Sequence, residues 1–142
     1  MPLLAAVAGT TGAAIADLRT GRIPNTISRT TTIVALGAAA AAGFVDSAAS
    51  GAVLVGGLLL ALYVLTAGCG IGLGDVKLGV AIGAGCGPFG GSVALAVAFI
   101  TGAAYGVWLL ATRKARFGAE IRFGPFLAAG TLVAAAQAVA AG

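Results

Sequence analysis

Apolar residues run along this chain in six blocks separated by short breaks rich in polar residues, Gly or Pro: Pro2–Leu18, Ile27–Val45, Gly51–Ala67, Val76–Gly87, Gly91–Thr112 and Pro125–Ala141. A helix that spans a bilayer needs about 20 residues, with roughly 17 as the lower limit. All the blocks but the fourth reach that limit. By length alone the fourth is open to a second reading, a re-entrant hairpin.

The cations decide between the two. If all six blocks span, the first, third and fifth connections lie on one side of the membrane. The first holds Arg19, Arg22 and Arg29, the third leads into Lys77, and the fifth holds Arg113, Lys114, Arg116 and Arg122. Every Lys and Arg then falls on one face, which the positive-inside rule assigns to the cytoplasm, and the other face receives only Asp46. A re-entrant fourth block would send the Arg113–Arg122 cluster to the opposite side. The pattern therefore predicts an all-α integral membrane protein, a single domain over residues 1–142, with six spanning helices and both termini on the non-cytoplasmic side. Tyr105 and Trp108 fall near the cytoplasmic end of the fifth helix, where amphipathic rings anchor.

Composition agrees. Of 142 residues, 60% are hydrophobic and 8% charged, and the mean hydropathy is +1.10. Soluble domains carry about 25% charged residues, so this chain cannot cover a water-facing surface. The formal net charge of +4 reflects the one-sided cations, which have lipid headgroups as their natural partners. Nothing points to nucleic acid. The N-terminus is apolar at once and lacks a basic n-region, so the first block is expected to be a retained helix and not a cleaved signal.

The chain has no His, and Cys69 and Cys86 stand alone. No zinc-type ligand set is present, and no metal or cofactor is expected. On the six-helix scheme the two cysteines lie near opposite faces, so no disulfide joins them. Gly85-Cys86-Gly87-Pro88-Phe89-Gly90 matches GxGxxG by letters, but no strand is predicted before it, and a dinucleotide site is not supported.

Asp17 ends the first block and Asp75 precedes the fourth, both at the cytoplasmic edge. Carboxylates there are costly and often functional, although helix ends are cheaper than helix centres. Steps of four from Asp75 reach Gly79, Gly83 and Gly87, and steps back from Asp17 reach Ala13, Gly9 and Ala5. Each aspartate thus prolongs a smooth helix face. Packing the two faces together would bring the carboxylates close. Gly68, Gly70, Gly72 and Gly74 alternate just before Asp75 and favour an unwound segment, which membranes tolerate where it lines a wet cavity or is buried in protein. Two apposed carboxylates share one proton. The ionised member draws a proton from water while the protonated member donates to a carbonyl, which is the logic of an aspartic protease.

Three stretches carry a family resemblance. Ala16-Asp17-Leu18-Arg19-Thr20-Gly21-Arg22-Ile23-Pro24-Asn25 resembles the first aspartate motif of the type IV prepilin peptidases, an Asp followed shortly by Ile-Pro-Asn. Gly72-Leu73-Gly74-Asp75-Val76-Lys77-Leu78 resembles their GxGD motif with its trailing Lys, and Ile121-Arg122-Phe123-Gly124-Pro125-Phe126 resembles the segment that opens their last helix. The resemblance implies a membrane aspartyl endopeptidase of the bacterial or archaeal cytoplasmic membrane. Such an enzyme removes the basic leader of a prepilin or pseudopilin on the cytoplasmic side, and Asp17 and Asp75 would be its catalytic pair. It also implies supporting roles for Gly72, Gly74, Lys77, Pro24, Asn25, Arg122, Gly124 and Pro125. Longer members add an N-terminal CxxC region and methylate the new pilin terminus. This sequence resembles the short peptidase-only branch, as in Flp/Tad-type pili, and methyltransferase activity is not expected.

Beside the resemblance, plainer roles remain open for several of these residues. Pro24 stops helix continuation and Asn25 suits a helix cap. Gly124-Pro125 suits a helix start. Lys77 either snorkels to the headgroups or tunes the dyad. Glu120 is read as a loop residue beside Arg116 and Arg122, and Asp46 as an exposed turn residue. A small ion- or proton-coupled transporter with the aspartates as a relay is the alternative function. It calls for an inverted repeat and midplane aspartates, neither of which is seen in the sequence. A structural scaffold held by small residues would leave the three motifs unexplained.

Overall fold

The computed structural model describes residues 2–20, 25–68, 71–113 and 123–141, with backbone alone at Pro2, Ala5, Thr20 and Asn25. Five helices follow one another: α1 (Pro2–Thr20), α2 (Asn25–Ala41), α3 (Val45–Leu65), α4 (Leu73–Ala111) and α5 (Gly124–Ala141). Of these, α3, α4 and α5 are each long and apolar enough to cross a bilayer. Large apolar side chains face outward along the whole bundle. Val53, Leu65, Ile100 and Val139 are each more than two-thirds exposed, a surface suited to lipid and not to water.

Where the sequence predicts six helices, the fourth and fifth blocks join in α4. Its 39 residues would extend about 58 Å as a straight rod at 1.5 Å per residue, nearly twice a hydrocarbon core of roughly 30 Å. The rod is broken at Gly87, whose φ of 69° and ψ of −178° are not helical. Only glycine takes that conformation freely. The next residue, Pro88, has no N–H to continue the ladder and crowds the residue before it. Beyond the break the chain turns back sharply on itself. A Cβ on Gly91 would lie 3.3 Å from the Cα of Gly83, whereas eight residues of straight helix would separate those positions by about 12 Å. The GxGxxG letters at 85–90 are thus a turn between two helical arms.

The other boundaries shift modestly. α3 begins at Val45, six residues before the apolar block, because Asp46 sits favourably in its first turn near the positive end of the helix dipole. Asp46 is exposed, as expected, but helical. Thr66, Ala67 and Gly68 form a turn that closes α3, with φ of 50° at Ala67 and 77° at Gly68. Cys69 lies outside the described residues, as do Pro24, Arg22 and the 114–122 stretch that holds Lys114, Arg116, Glu120 and Arg122. Cys86 is a free thiol.

The small-residue face of α4 packs differently from the sequence expectation. Gly79, Gly83 and Gly87 do not meet α1. They meet α3: Gly79 lies against Leu59 and Val55, Gly83 against the backbone of Gly51 and Ala52, and Gly87 against Ser47. The glycines are spent on bringing the α3 and α4 backbones into direct contact, which any Cβ would prevent. On α1, Gly9 receives Thr31 of α2. Gly130 of α5 lies against the carbonyl of Ala94 in the second arm of α4. Around these contacts Val55, Leu59, Leu78, Ile82 and Leu127 form a fully buried centre.

Candidate active site

The last turn of α1 and the first turns of α4 and α5 meet at one end of the bundle. Asp17 stands in the last turn of α1 and Asp75 in the first turn of α4. Their residues are only 6% and 8% exposed. They are near enough that the charge of Asp17 acts on the Asp75 carboxyl. So the two carboxylates share a site even though the glycine face of α4 is turned to α3. The α1–α4 contact at this end, and not a glycine zipper along both helices, brings them together.

Each carboxyl has a defined neighbour. Oδ2 of Asp75 accepts the N–H of Gly72 at 3.1 Å, while the N–H groups of Asp75 and Val76 donate to the Gly72 carbonyl at 3.0 and 3.2 Å. This reciprocal cap holds Asp75 in one place at the helix start, where the dipole favours negative charge. Gly72 itself is extended (φ −87°, ψ 156°), a conformation open to any residue. What the cap uses at position 72 is the backbone N–H. The glycine-specific backbone conformation falls earlier, at Gly68. Gly74 is half-buried within α4, and Lys77 is half-buried one turn along.

Asp17 lies against the start of α5. A Cβ on Gly124 would stand 2.9 Å from Oδ2 of Asp17 and 3.2 Å from its Cβ. Only a glycine lets the first turn of α5 approach that closely. Pro125 follows in the first turn, where a missing N–H costs little, and the N–H groups of Phe126 and Leu127 both close on the Phe123 carbonyl at 3.1 Å. Beside this turn Phe123 packs with tilted rings against Phe99 and Phe126, at ring centroids of 5.2 and 6.3 Å, and Tyr105 bridges Phe126 to Trp108. Tyr105 and Trp108 are nearly half exposed on the outer surface, as an interfacial anchor should be.

A model of the type IV leader peptidase family matches residues 4–107, a stretch that holds both aspartates. The chain belongs to the type IV leader peptidase family. No curated protein and no solved structure matches it. Membership makes the protein a multi-pass membrane peptidase with a prepilin-type leader as substrate class, and it does not favour transport. Of the residues that the resemblance implicates, the structure gathers Asp17, Asp75, Gly72, Gly74 and Gly124 with Pro125 at one end of this leader peptidase. Lys77 stands one turn along α4. Asn25 opens α2, described by its backbone alone.

Sequence reasoning passed over one residue at this end. Ser28, in the second turn of α2, is 1% exposed, and its hydroxyl is buried without a hydrogen-bond partner. A signal was available. Ser28 is a polar residue inside the second apolar block, on the helical face that continues through Thr31, Ala35 and Ala39.

Proposed function

We propose that this leader peptidase is an aspartyl endopeptidase in which Asp17 and Asp75 together activate water against the peptide bond that joins leader to mature pilin. The observation that carries this is the burial of two mutually interacting carboxylates at one end of the helices, in a family whose reaction is leader removal. One carboxylate takes a proton from water as the water attacks the scissile carbonyl. The other, protonated, donates to the carbonyl oxygen; the first then passes the water-derived proton to the leaving amine while the second takes a proton back from the collapsing tetrahedral diol, which restores the shared proton. Methyl transfer is no part of the proposed activity. The test is incubation of the detergent-solubilised protein with prepilin-like substrates from its own genome, with mass spectrometry of the product. Cleavage between a short basic leader and an apolar helix is expected. Intact substrate across the whole set would overturn the proposal.

Six spans are proposed, with the two arms of α4 crossing separately, the aspartate end facing the cytoplasm and both termini on the other side. The placement of every cation in, or within about a turn of, the connections on one face supports this orientation. A periplasmic reporter enzyme fused after Gly142 is expected to be active, and the same enzyme fused after Arg113 inactive. Two inactive fusions would exclude this topology.

Gly124 supports the proposed chemistry by its size. Gly124→Ala places a methyl group against the Asp17 carboxyl and forces either Asp17 or the start of α5 to move. A displacement near 1 Å in a catalytic group costs on the order of a hundredfold in rate, so kcat is expected to fall by about that factor. A variant within threefold of wild type would show that the contact is not needed.

A further inference from the structure

The buried threonines in the helices of this protein, and several exposed hydroxyls, share a habit. Thr10 donates to Ala6 O, Thr31 to Ile27 O, Ser92 to Pro88 O, Thr101 to Val97 O and Thr131 to Leu127 O, each four residues back along its own helix. That habit lets a polar group sit in lipid without a partner from outside the helix. Ser28 departs from it. Its hydroxyl is fully buried and has no hydrogen-bond partner. A buried hydroxyl left in this way is unfavourable unless something else bonds to it, and a protein of this kind supplies ordered water.

The register of α2 against two neighbours places that hydroxyl beside the aspartates. Only four residues separate the end of α1 from the start of α2, and Gly9 of α1 meets Thr31 of α2, so the two helices run antiparallel. Ser28, one turn nearer the α1–α2 connection, therefore lies at the level of Gly12 and Ala13, about one turn deeper than Asp17. Toward α4, Ala39 lines the same cleft as Ala84, Gly85, Cys86 and Gly87. Going back about eleven residues along each helix, roughly 16 Å, reaches Ser28 on α2 and Gly74–Asp75 on α4. The first register sets Ser28 about one turn to the membrane side of Asp17 and the second sets it level with Asp75, so both bring the hydroxyl within about a turn of the carboxylate pair. The face of α2 that carries Ser28 continues through Thr31, Ala35 and Ala39, all buried against the neighbouring helices.

We infer that Ser28 is a positioning residue of this peptidase, whose hydroxyl holds a buried water on the membrane side of the aspartate pair. Resting on the peptidase function proposed above, this water hydrogen-bonds the carboxylates from within and fixes the geometry in which they share a proton. Ser28 does not touch the substrate. It acts through the water.

Kinetics of Ser28→Ala and Ser28→Thr in the full chain, on a prepilin-like substrate that the wild type cleaves, test the inference, with Asp17→Asn as a reference for lost chemistry. Ser28→Ala is expected to lower kcat about tenfold, the size of one hydrogen bond to a charged group, with KM unchanged and thermal unfolding in detergent no lower than wild type. Ser28→Thr keeps the hydroxyl and is expected to recover most of kcat. A structure of the protein with ordered water resolved is expected to hold a water on Ser28 Oγ that is gone in Ser28→Ala. If Ser28→Ala keeps wild-type kcat while Asp17→Asn is dead, the inference fails and the peptidase reading stands. If the Ser28 hydroxyl is bonded to its own helix and no water is present, it fails as well. A wild type that cleaves no leader overturns the peptidase reading and this inference with it.

Discussion

Asn in place of either Asp17 or Asp75 is expected to cut leader cleavage by at least about a thousandfold, within the range that positioned acid–base groups contribute. Asn matches the shape of Asp and keeps an oxygen that can accept the Gly72 N–H at position 75, so the helix cap survives. What Asn cannot do is take up a proton from water or hand one to a carbonyl. In the proposed mechanism the two carboxyls act as one unit, so losing either removes the cycle, and the double variant is expected to be no worse than either single one. The fold is expected to hold, because each change removes a buried carboxylate that is costly to keep away from water. The informative pair of measurements is kcat/KM beside the thermal midpoint in the same detergent. A variant that melts like wild type yet retains more than a tenth of the cleavage rate would exclude that aspartate from the chemistry.

The second large effect concerns stability. A Cβ at Gly83 would run into the backbone carbonyl of Gly51 and approach the N–H nitrogen of Ala52 to 2.8 Å. Backbone cannot rotate away as a side chain would, so Gly83→Ala must push α3 and α4 apart along their whole contact. Overpacking of this kind costs about 1–3 kcal/mol and occasionally more, and an intact backbone on the far side argues for the upper end. The gain in helix propensity from Gly to Ala, about 1 kcal/mol, offsets only part. Gly57, on the same helix α3 but with open space around its Cβ position, is the control. Gly57→Ala is expected to leave the midpoint unchanged or raised, while Gly83→Ala lowers it. Equal midpoints for the two would mean that α3 and α4 are not in backbone contact.

Much of this protein could be read along the chain. Helix-length apolar blocks and scarce charge determined that it is an all-helical membrane protein, because a bilayer leaves the backbone no other economical way to satisfy its hydrogen bonds. The aspartates were legible as candidates because a carboxylate is conspicuous where so few charges stand, and three motifs carried the family. The sequence alone did not decide which faces meet. The Gly79–Gly83–Gly87 face was legible as a close-packing surface, but its partner is α3 and not α1, since every helix here offers small residues and periodicity says nothing about which neighbour receives them. The break that folds α4 back on itself falls at a single positive φ, at Gly87, and the unpartnered Ser28 hydroxyl shows only in the packed bundle. Close approach of Gly124 to Asp17 likewise exists only once α1 and α5 share an end. Composition and spacing selected the solvent and the chemistry. Three-dimensional packing decided the neighbours, because contact between helices depends on which backbones can approach within a Cβ of one another.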